Sequence, residues 1–423
     1  MKKYKSLAAQ EARLAFWMLL PAVVIVASVI LFPVIANFWI SFKSIGLGDL
    51  RPPVAILRER VVQTPKKPGD ELVVTYQIRN SSRDRDLSDV VVTVRIPKGA
   101  SIADLDDMWT VEGKRTLKST FDRWEGGLSR TFELRFITES EYFTRDVDPR
   151  SPTSAEIESA SKNALLSSPF TLDNFRKVVQ ARHFSRSLIF SFVYPFLGAL
   201  ISILMGIMAA LLLNRTFRGQ SFLRGLFLFP YISPIIAATF VWVFFLDPFS
   251  GTVNALLLDT GVIDAPIPFL NAWTIDISLF GMKVPFPLAR AMVIFFDAWR
   301  YFPFAFLFIL SRLQAIPEDL YEAADVDGAG YFKKFRHITL PQISSVLGTI
   351  FLLRFIWTFN KFDDVFLLTG GSAGTKTLPV EVYDNAFGRG DIGAGAATAV
   401  LLFLMLSIFM ALYFKLLKEV DDE

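Results

Sequence analysis

The sequence predicts an all-α polytopic membrane protein with six transmembrane helices and a β-rich domain inserted after the first of them. Two observations predict this fold. Hydrophobic residues make up 52% of the 423 residues and charged residues only 20%, so the chain is more apolar than a typical globular protein. The charges are also uneven, because residues 51–165 hold 19 basic and 19 acidic side chains whereas the other 308 residues share the remaining 47. A soluble segment therefore interrupts a membrane protein.

The composition also excludes several classes of function. The chain has no cysteine and only two histidines, His183 and His337, which argues against disulfides, thiolate chemistry, iron–sulfur clusters and a histidine-rich zinc site. A formal net charge of +3 leaves no electrostatic footprint for nucleic acid. We therefore expect no nucleic-acid partner, no catalytic residue, no metal site and no cofactor bound by this chain.

Six apolar segments are long enough to cross a bilayer, which takes roughly 20 residues of helix. They cover residues 14–42, 187–214, 225–246, 288–312, 343–368 and 392–414. The first is longer than the apolar core of a signal peptide, so we expect a retained anchor. The fourth and fifth also carry charged side chains, namely Asp297, Arg300, Arg354, Lys361, Asp363 and Asp364.

The basic residues beside these segments predict their orientation. Three basic residues lie on one side, at Lys283, Lys376 and Arg389. Thirteen lie on the other side: Lys2, Lys3, Lys5, Arg13, Arg215, Arg218, Arg224, Arg312, Lys333, Lys334, Arg336, Lys415 and Lys418. We therefore expect a multi-pass protein of the inner membrane with both termini in the cytoplasm and the insert outside it.

Residues 46–168 are predicted to form the β-rich insert, between a first part at 1–45 and a helical core at 169–423. Apolar residues alternate with polar ones in three stretches, at Leu72 to Ile78, Val90 to Ile96 and Phe132 to Phe136. The run PGDELVVTYQIRNSSRDRDLSDVVVTVRIPKGASI resembles the immunoglobulin-like repeats of bacterial surface proteins. Such a sandwich could serve as a rigid docking or spacing element, or be a neutral loop insertion.

A loop at residues 313–341 on the predicted cytoplasmic side has the features of a docking helix. Ile316-Pro317-Glu318 places a proline and acids at the helix start, where both are favoured. Two small residues, Ala323 and Ala324, allow the backbone of another protein to approach. Gly328 is suited to ending or bending the helix. The loop is thus predicted to hold a short helix across the inner face.

This loop carries a family resemblance. The run YEAADVDGAGYFKKFRHITLPQI contains Glu-Ala-Ala, three residues, Gly, nine residues and Ile-x-Leu-Pro. It resembles the signature of the inner-membrane permease subunits of binding-protein-dependent ABC importers. Further stretches, such as TLDNFRKVV and WTFNKFDDVFLLTGGSAGTKTLPVEVYDNAF, are similar to the sugar branch, and especially to the maltose-type subunit with a large extracytoplasmic insert.

The resemblance implies a set of partners and two sets of site residues. The partners are a second permease subunit, two ATPase subunits that hold ATP and Mg²⁺, and an extracytoplasmic substrate-binding protein. The residues implied in coupling to the ATPases are Glu322, Ala323, Ala324, Asp327, Gly328, Ile338, Leu340 and Pro341. Those implied in a sugar pathway are Asp297, Tyr301, Phe304, Phe359, Asn360 and Asp363.

Other interpretations of these residues remain open at this stage. Asp297 and Arg300 are three residues apart on one helix and could simply pair with each other. The aromatic residues could pack against a neighbouring helix. The same machinery could import a polyamine, phosphate or metal ion, and a polytopic enzyme or a membrane-anchored adhesion or sensor protein are more remote alternatives.

Overall fold

The chain is organised as a helical unit that is interrupted once by a β unit. The computed structural model describes residues 7–83, 85–144, 148, 150–161, 163–279 and 282–421. The β unit is Ile45–Phe170, and Met1–Ser44 with Thr171–Glu423 form the helical unit. The predicted cytoplasmic residues Lys2, Lys3 and Lys5 lie outside the described residues.

The first part of the chain contains two helices and then the insert. Helix α1 (Leu7–Val26) continues through a π-helical turn at Ala27–Leu31 into α2 (Phe32–Ser41). The insert follows with β1 (Ala55–Gln63), β2 (Glu71–Asn80), β3 (Leu87–Arg95), β4 (Ala100–Asp104), β5 (Thr110–Glu112), β6 (Thr116–Trp124), β7 (Ser129–Thr138), β8 (Glu156–Ala160) and α3 (Ala164–Ser167).

The rest of the chain is helical apart from one hairpin. Its elements are α4 (Asp173–Gln180), α5 (Phe184–Leu213), α6 (Gln220–Phe227), α7 (Phe229–Ile232), α8 (Ile235–Phe245), α9 (Thr252–Asp259), β9 (Ile275–Leu279), β10 (Met282–Phe286), α10 (Leu288–Gln314), α11 (Asp319–Val326), α12 (Tyr331–Lys334), α13 (Leu340–Phe359), α14 (Asp363–Thr369), α15 (Leu378–Tyr383) and α16 (Ile392–Asp421).

Five helices in the described part of the chain are long and apolar enough to cross a membrane, and a bent pair makes a sixth if it is counted as one span. The five are Arg13–Ser41, Phe184–Leu213, Leu288–Gln314, Tyr331–Phe359 and Ile392–Lys415. The helical, polytopic architecture predicted from the sequence is therefore confirmed.

Two of the predicted segments differ from the structure. The third was expected as one helix over 225–246, but α6 and α7 meet α8 at an angle of 91°. The break falls at Ser233-Pro234, because a residue before proline is disfavoured in the α-helical region and Ser233 is extended, with ψ 137°. The fifth was expected at 343–368, but α13 ends at Phe359 and α14 begins only at Asp363.

The β unit is a sandwich of two four-stranded sheets. Their strand orders are β1-β2-β7-β4 and β5-β6-β3-β8, and all recorded pairings are antiparallel. Alternate residues of β2 and β3 point into one buried cluster to which both sheets contribute; it contains Val74, Tyr76, Val90, Val92, Leu117, Trp124 and Phe136, among others. The unit therefore has a hydrophobic core of its own.

A polar contact fastens the segment before β8 to the first sheet. The Glu59 carboxylate accepts hydrogen bonds from Ser151 Oγ (2.6 Å), Thr153 Oγ1 (2.7 Å) and Thr153 N (3.0 Å). Thr153 Oγ1 also lies 2.7 Å from Tyr76 Oη. Burial raises the pKa of the Tyr76 hydroxyl, which the Thr153 contact partly offsets, so the phenol stays neutral.

Candidate functional site

Helices α5 and α10 pack closely because one face of α5 is built from small, buried residues. These recur at every fourth position: Gly198, Ser202, Gly206 and Ala210. A Cβ added at Gly198 would lie 2.5 Å from Asp297 Oδ2, and one at Gly206 would lie 2.8 Å from Ala305 Cβ. The small residues therefore let α5 close over the one carboxylate of α10.

Asp297 belongs to a group of four charged residues, Asp297, Arg354, Lys361 and Asp364, of which Lys361 is half-buried and the others buried; we call this group the charge cluster. Arg354 Nη2 donates to Asp297 Oδ2 at 2.6 Å, and Lys361 Nζ lies 3.7 Å from Asp297 Oδ1. Lys361 also pairs with Asp364. The exposed fractions of the four side chains are 0%, 1%, 11% and 0%, so the charges neutralise one another out of solvent.

Arg300 does not pair with Asp297, although their spacing on α10 allowed it. Its Nη2 donates to the Ser233 carbonyl at 3.0 Å and its Nη1 to the Pro230 carbonyl at 3.4 Å. These carbonyls lie in and just after α7, where the helix ends and its last carbonyls lose their partners in the helix. Arg300 thus supports the break between α7 and α8.

Tyr301 connects the charge cluster to an open cleft. Two cations of the cluster lie close to its ring, with the Arg354 guanidinium carbon 3.9 Å and Lys361 Nζ 4.0 Å from the ring centre. Lys361 Nζ also donates to the Tyr301 hydroxyl at 2.6 Å. The cleft has a volume of about 470 Å³ and is lined by Tyr301, Arg354, Trp357, Asn360, Lys361, Phe362 and Asp363.

The structure brings together some of the predicted pathway residues and separates others. Tyr301, Asn360 and Asp363 line the cleft, and Asp297 does not line it but contacts Arg354, which does. Phe359 is only 2% exposed and packs its ring against Phe192 and Phe355. Phe304 lines a different, smaller cavity and packs against Tyr231, Phe308 and Trp357.

Several residues of this site were not among the predicted pathway residues. Trp357 and Phe362 line the cleft, Lys361 neutralises two carboxylates, and Gly198 makes room for Asp297. A signal existed for Lys361, since a charged residue within an apolar segment needs a partner. The small residues at every fourth position of α5 were a second signal.

The predicted coupling element is an exposed helix with a well-defined end. Glu322 and Ala323 are exposed on α11, and Ala324 is half-buried. Gly328 has φ +72° and donates to the Asp325 carbonyl at 3.0 Å, while the next N–H, of Ala329, donates to the Ala324 carbonyl at 2.8 Å. This pair of bonds is the Schellman motif, which requires a left-handed residue at the position of Gly328. Asp327, just before it, is also exposed.

The flanks of α11 are tied to the neighbouring spans. The Tyr321 hydroxyl lies 2.9 Å from Thr339 Oγ1, and Arg312 donates to the Gln342 carbonyl at 2.9 Å and to its Oε1 at 3.1 Å. Ile338 packs against the buried cluster formed by α5 and α10. Leu340 and Pro341 form the first turn of α13, which runs from the coupling element to Arg354 and the cleft.

Comparison with known proteins places this architecture in a family. Residues 202–421, just over half of the chain, match the family described as "Binding-protein-dependent transport system inner membrane component". The inner membrane ABC transporter permease protein YcjO of Escherichia coli is 35% identical over 237 residues, which cover 56% of this chain and 75% of that protein. The trehalose/maltose transport system permease protein MalF of Thermococcus litoralis is 33% identical over 249 residues, or 58% and 79% of the two chains.

A third relative and a solved structure extend the comparison. The sn-glycerol-3-phosphate transport system permease protein UgpA of Agrobacterium fabrum is 28% identical over 258 residues, covering 60% of this chain and 83% of that protein. A crystal structure of a bacterial ABC transporter involved in the import of the acidic polysaccharide alginate has the same fold, with a TM-score of 0.53 at 19% identity over 61% of this chain and 86% of that chain. The chain thus belongs to the family of inner membrane components of binding-protein-dependent transport systems.

Proposed function

We propose that this chain is the transmembrane subunit of an ABC importer for a sugar or oligosaccharide and that it forms half of the substrate pathway. The cleft at Tyr301 carries this proposal. The Tyr301 and Trp357 rings offer apolar faces, while Asn360 and Asp363 offer an amide and a carboxylate that can bind hydroxyl groups. Relatives named as trehalose and maltose permeases support the same class of substrate.

Coupling to ATP hydrolysis is assigned to α11. The chain itself is not an enzyme in this proposal, because ATP and Mg²⁺ are held by two separate ATPase subunits. Glu322 is exposed and has no basic partner among the described residues, so it is free to pair with a basic group of the ATPase. The contact of Tyr321 on α11 with Thr339, just before α13, would carry a displacement of α11 toward the cleft, and Arg312 ties α10 to the start of α13.

The same proposal fixes the orientation of the chain in the inner membrane. The coupling loop 313–341 faces the cytoplasm together with both termini, and the Ile45–Phe170 unit is extracytoplasmic. The preponderance of basic residues on one side supports this arrangement. A second permease subunit completes the pathway, and an extracytoplasmic binding protein delivers the substrate.

The proposal is tested by purifying the complex and measuring uptake. An affinity tag on this chain should copurify a second permease and an ATP-binding subunit. In proteoliposomes that complex should take up a sugar when the cognate binding protein and ATP are both supplied. A panel of sugars, polyamines, phosphate and metal ions is offered to the binding protein first. Exclusive binding of a non-sugar solute would reject the sugar assignment, and absence of an ATPase would reject the importer.

A further inference from the structure

The charges around the cleft point to a narrower class of substrate than sugars in general. The charge cluster holds two carboxylates, of Asp297 and Asp364, and two cations, of Arg354 and Lys361. Its formal charges therefore cancel within the protein. A ligand in the cleft meets no net positive charge from these buried groups.

The two cations line the cleft, but their charged groups are engaged by buried carboxylates. The Arg354 side chain is 1% exposed, lies on the Tyr301 ring and donates to Asp297; its Nε has no partner among the described residues but is enclosed. The Lys361 ammonium group is 11% exposed and is directed to Asp364, Asp297 and the Tyr301 hydroxyl. An anionic ligand would have to compete with these buried carboxylates for either cation.

Among the three charged residues that line the cleft, the one without an ion pair in the described structure is an acid, Asp363. Asp363 is half-buried, and no lysine or arginine in the described ranges pairs with it. Its Oδ1 accepts a hydrogen bond from the N–H of Asp364 at 3.2 Å. Asn360 is exposed, and because its Nδ2 donates to the Ile356 carbonyl at 2.9 Å, its amide oxygen is left for a ligand. Both groups accept hydrogen bonds from hydroxyls, and the carboxylate repels anions.

We propose that this cleft selects uncharged polyhydroxy substrates over sugar acids and sugar phosphates, and that Asp364 is the positioning residue that enforces the selection by holding Lys361. The inference rests on the proposed sugar pathway and adds the charge of its substrate. Without the Asp364 carboxylate, the Lys361 ammonium group keeps only the hydroxyl of Tyr301 and the more distant Asp297. It then becomes available to an anion in the cleft.

The test uses two probes that differ only in charge, methyl α-glucopyranoside and methyl α-glucuronide. The permease complex with its partner subunits is placed in lipid nanodiscs without the binding protein, so that the binding protein's own preference does not enter. Ligand-observed NMR titration then gives the affinity of each probe. We expect the neutral probe to bind at least about tenfold more tightly than the uronide.

Variants then test the role of Asp364. Asp364→Asn should raise the affinity for the uronide by about tenfold and change that for the glucoside much less. The double change Asp364→Asn with Lys361→Gln should lower the affinity for the uronide again. If Asp364→Asn acted through general damage to the site, removing Lys361 would not reverse its effect. Asp363→Asn, at a half-buried position, should raise the affinity for the uronide by a few-fold. This test leaves the Lys361–Asp364 pair intact.

Each outcome has a distinct meaning. If neither probe binds, and longer neutral sugars also fail, the proposed sugar pathway is wrong. If both probes bind equally to the unmodified complex, the sugar pathway stands and the selection against anions is wrong. If Asp364→Asn assembles but leaves the ratio unchanged, Asp364 has no such role. If Asp364→Asn does not assemble, Asp363→Asn decides the question: an unchanged ratio of the affinities for the two probes would overturn the selection by charge.

Discussion

Helix α11 and the charge cluster differ in how their charged side chains are partnered. Glu322 is exposed on α11 and finds no basic partner among the described residues. Asp297, in contrast, is fully buried and contacts Arg354, Lys361 and Thr358 within its own chain. The cluster thus finds its partners within the fold, whereas the proposed coupling helix α11 leaves Glu322 available for a partner subunit.

This comparison makes a general prediction about where mutations act. A change in the charge cluster should damage the folded subunit first and transport second, because an unpaired buried charge is costly. A change on α11 should leave the subunit folded and damage coupling. The predictions below separate these two kinds of effect.

The largest effect is expected for Asp297→Ala. Removing this carboxylate leaves Arg354 with no acidic partner in the described structure, and breaking a buried pair in this way costs about 3–5 kcal/mol. We expect a large fall in the thermal unfolding temperature and in the yield of folded subunit. Asp363→Ala is the matched control, since it removes a carboxylate at the cleft that has no ion pair with any described residue. Equal stability of the two variants would show that the pair does not hold the spans together.

The next effect is the loss of coupling through α11. Glu322→Lys or Gly328→Trp should leave membrane insertion intact but abolish substrate-stimulated ATP hydrolysis or assembly with the ATPase. Gly328→Ala sharpens the test: the added Cβ meets no atom within 4 Å, so only the left-handed backbone, at about 1–2 kcal/mol, opposes it. Substrate-stimulated ATP hydrolysis by the Gly328→Ala variant should therefore be reduced rather than lost. Asp259→Lys, which reverses the charge of an exposed acid on α9, is the control for Glu322→Lys. Full uptake by both Glu322→Lys and Gly328→Trp would show that α11 has no role in coupling.

How far the sequence could predict these features depends on how local each one is. The C-terminal end of α11 is formed by hydrogen bonds between residues at most five positions apart. Glu-Ala-Ala and Gly328 are therefore enough to identify it in the sequence. The alternation in β2 and β3 is equally local. The Asp297–Arg354 pair joins residues on different helices, and the sequence offered Arg300 three residues away as an equally good partner. Two tertiary features decide in favour of Arg354 over Arg300: the packing of α5 against α10, and the hydrogen bonds of Arg300 to the carbonyls of Pro230 and Ser233.

The break between α7 and α8 and the placement of the aromatic residues illustrate the same limit. Pro234 signals a disruption, but an apolar segment of the right length also fits an unbroken span. Phe304 and Phe359 share the spacing of residues that line the cleft, yet they pack against other rings. Periodicity places a residue on a face of a helix, and the neighbouring helices determine what that face meets.

A smaller effect is expected from Asn360→Ala, which tests the cleft itself. The side chain is exposed, so the variant should assemble normally and keep its basal ATP hydrolysis. Uptake should fall by about five- to tenfold, corresponding to one hydrogen bond to the substrate. Phe359→Ala is the comparison: it empties a buried, ring-packed position and should reduce stability and assembly as well. Loss of assembly in Asn360→Ala would instead assign this residue a packing role.

The smallest effect is expected from removal of the insert. The Ile45–Phe170 unit has its own core, with Tyr76, Trp124 and Phe136 buried, so a short Gly-Ser linker in place of residues 48–165 should leave the helical unit folded with an unchanged substrate preference. If the insert offers the binding protein a second attachment site, its loss lowers the effective concentration of that partner without altering the cleft. Uptake measured against binding-protein concentration in proteoliposomes should then show a half-saturation point raised by a few-fold, with the same maximal rate. An unchanged half-saturation point would make the insert a neutral addition, and a changed preference would mean that part of substrate recognition lies in the β unit and not at Tyr301 and Asn360.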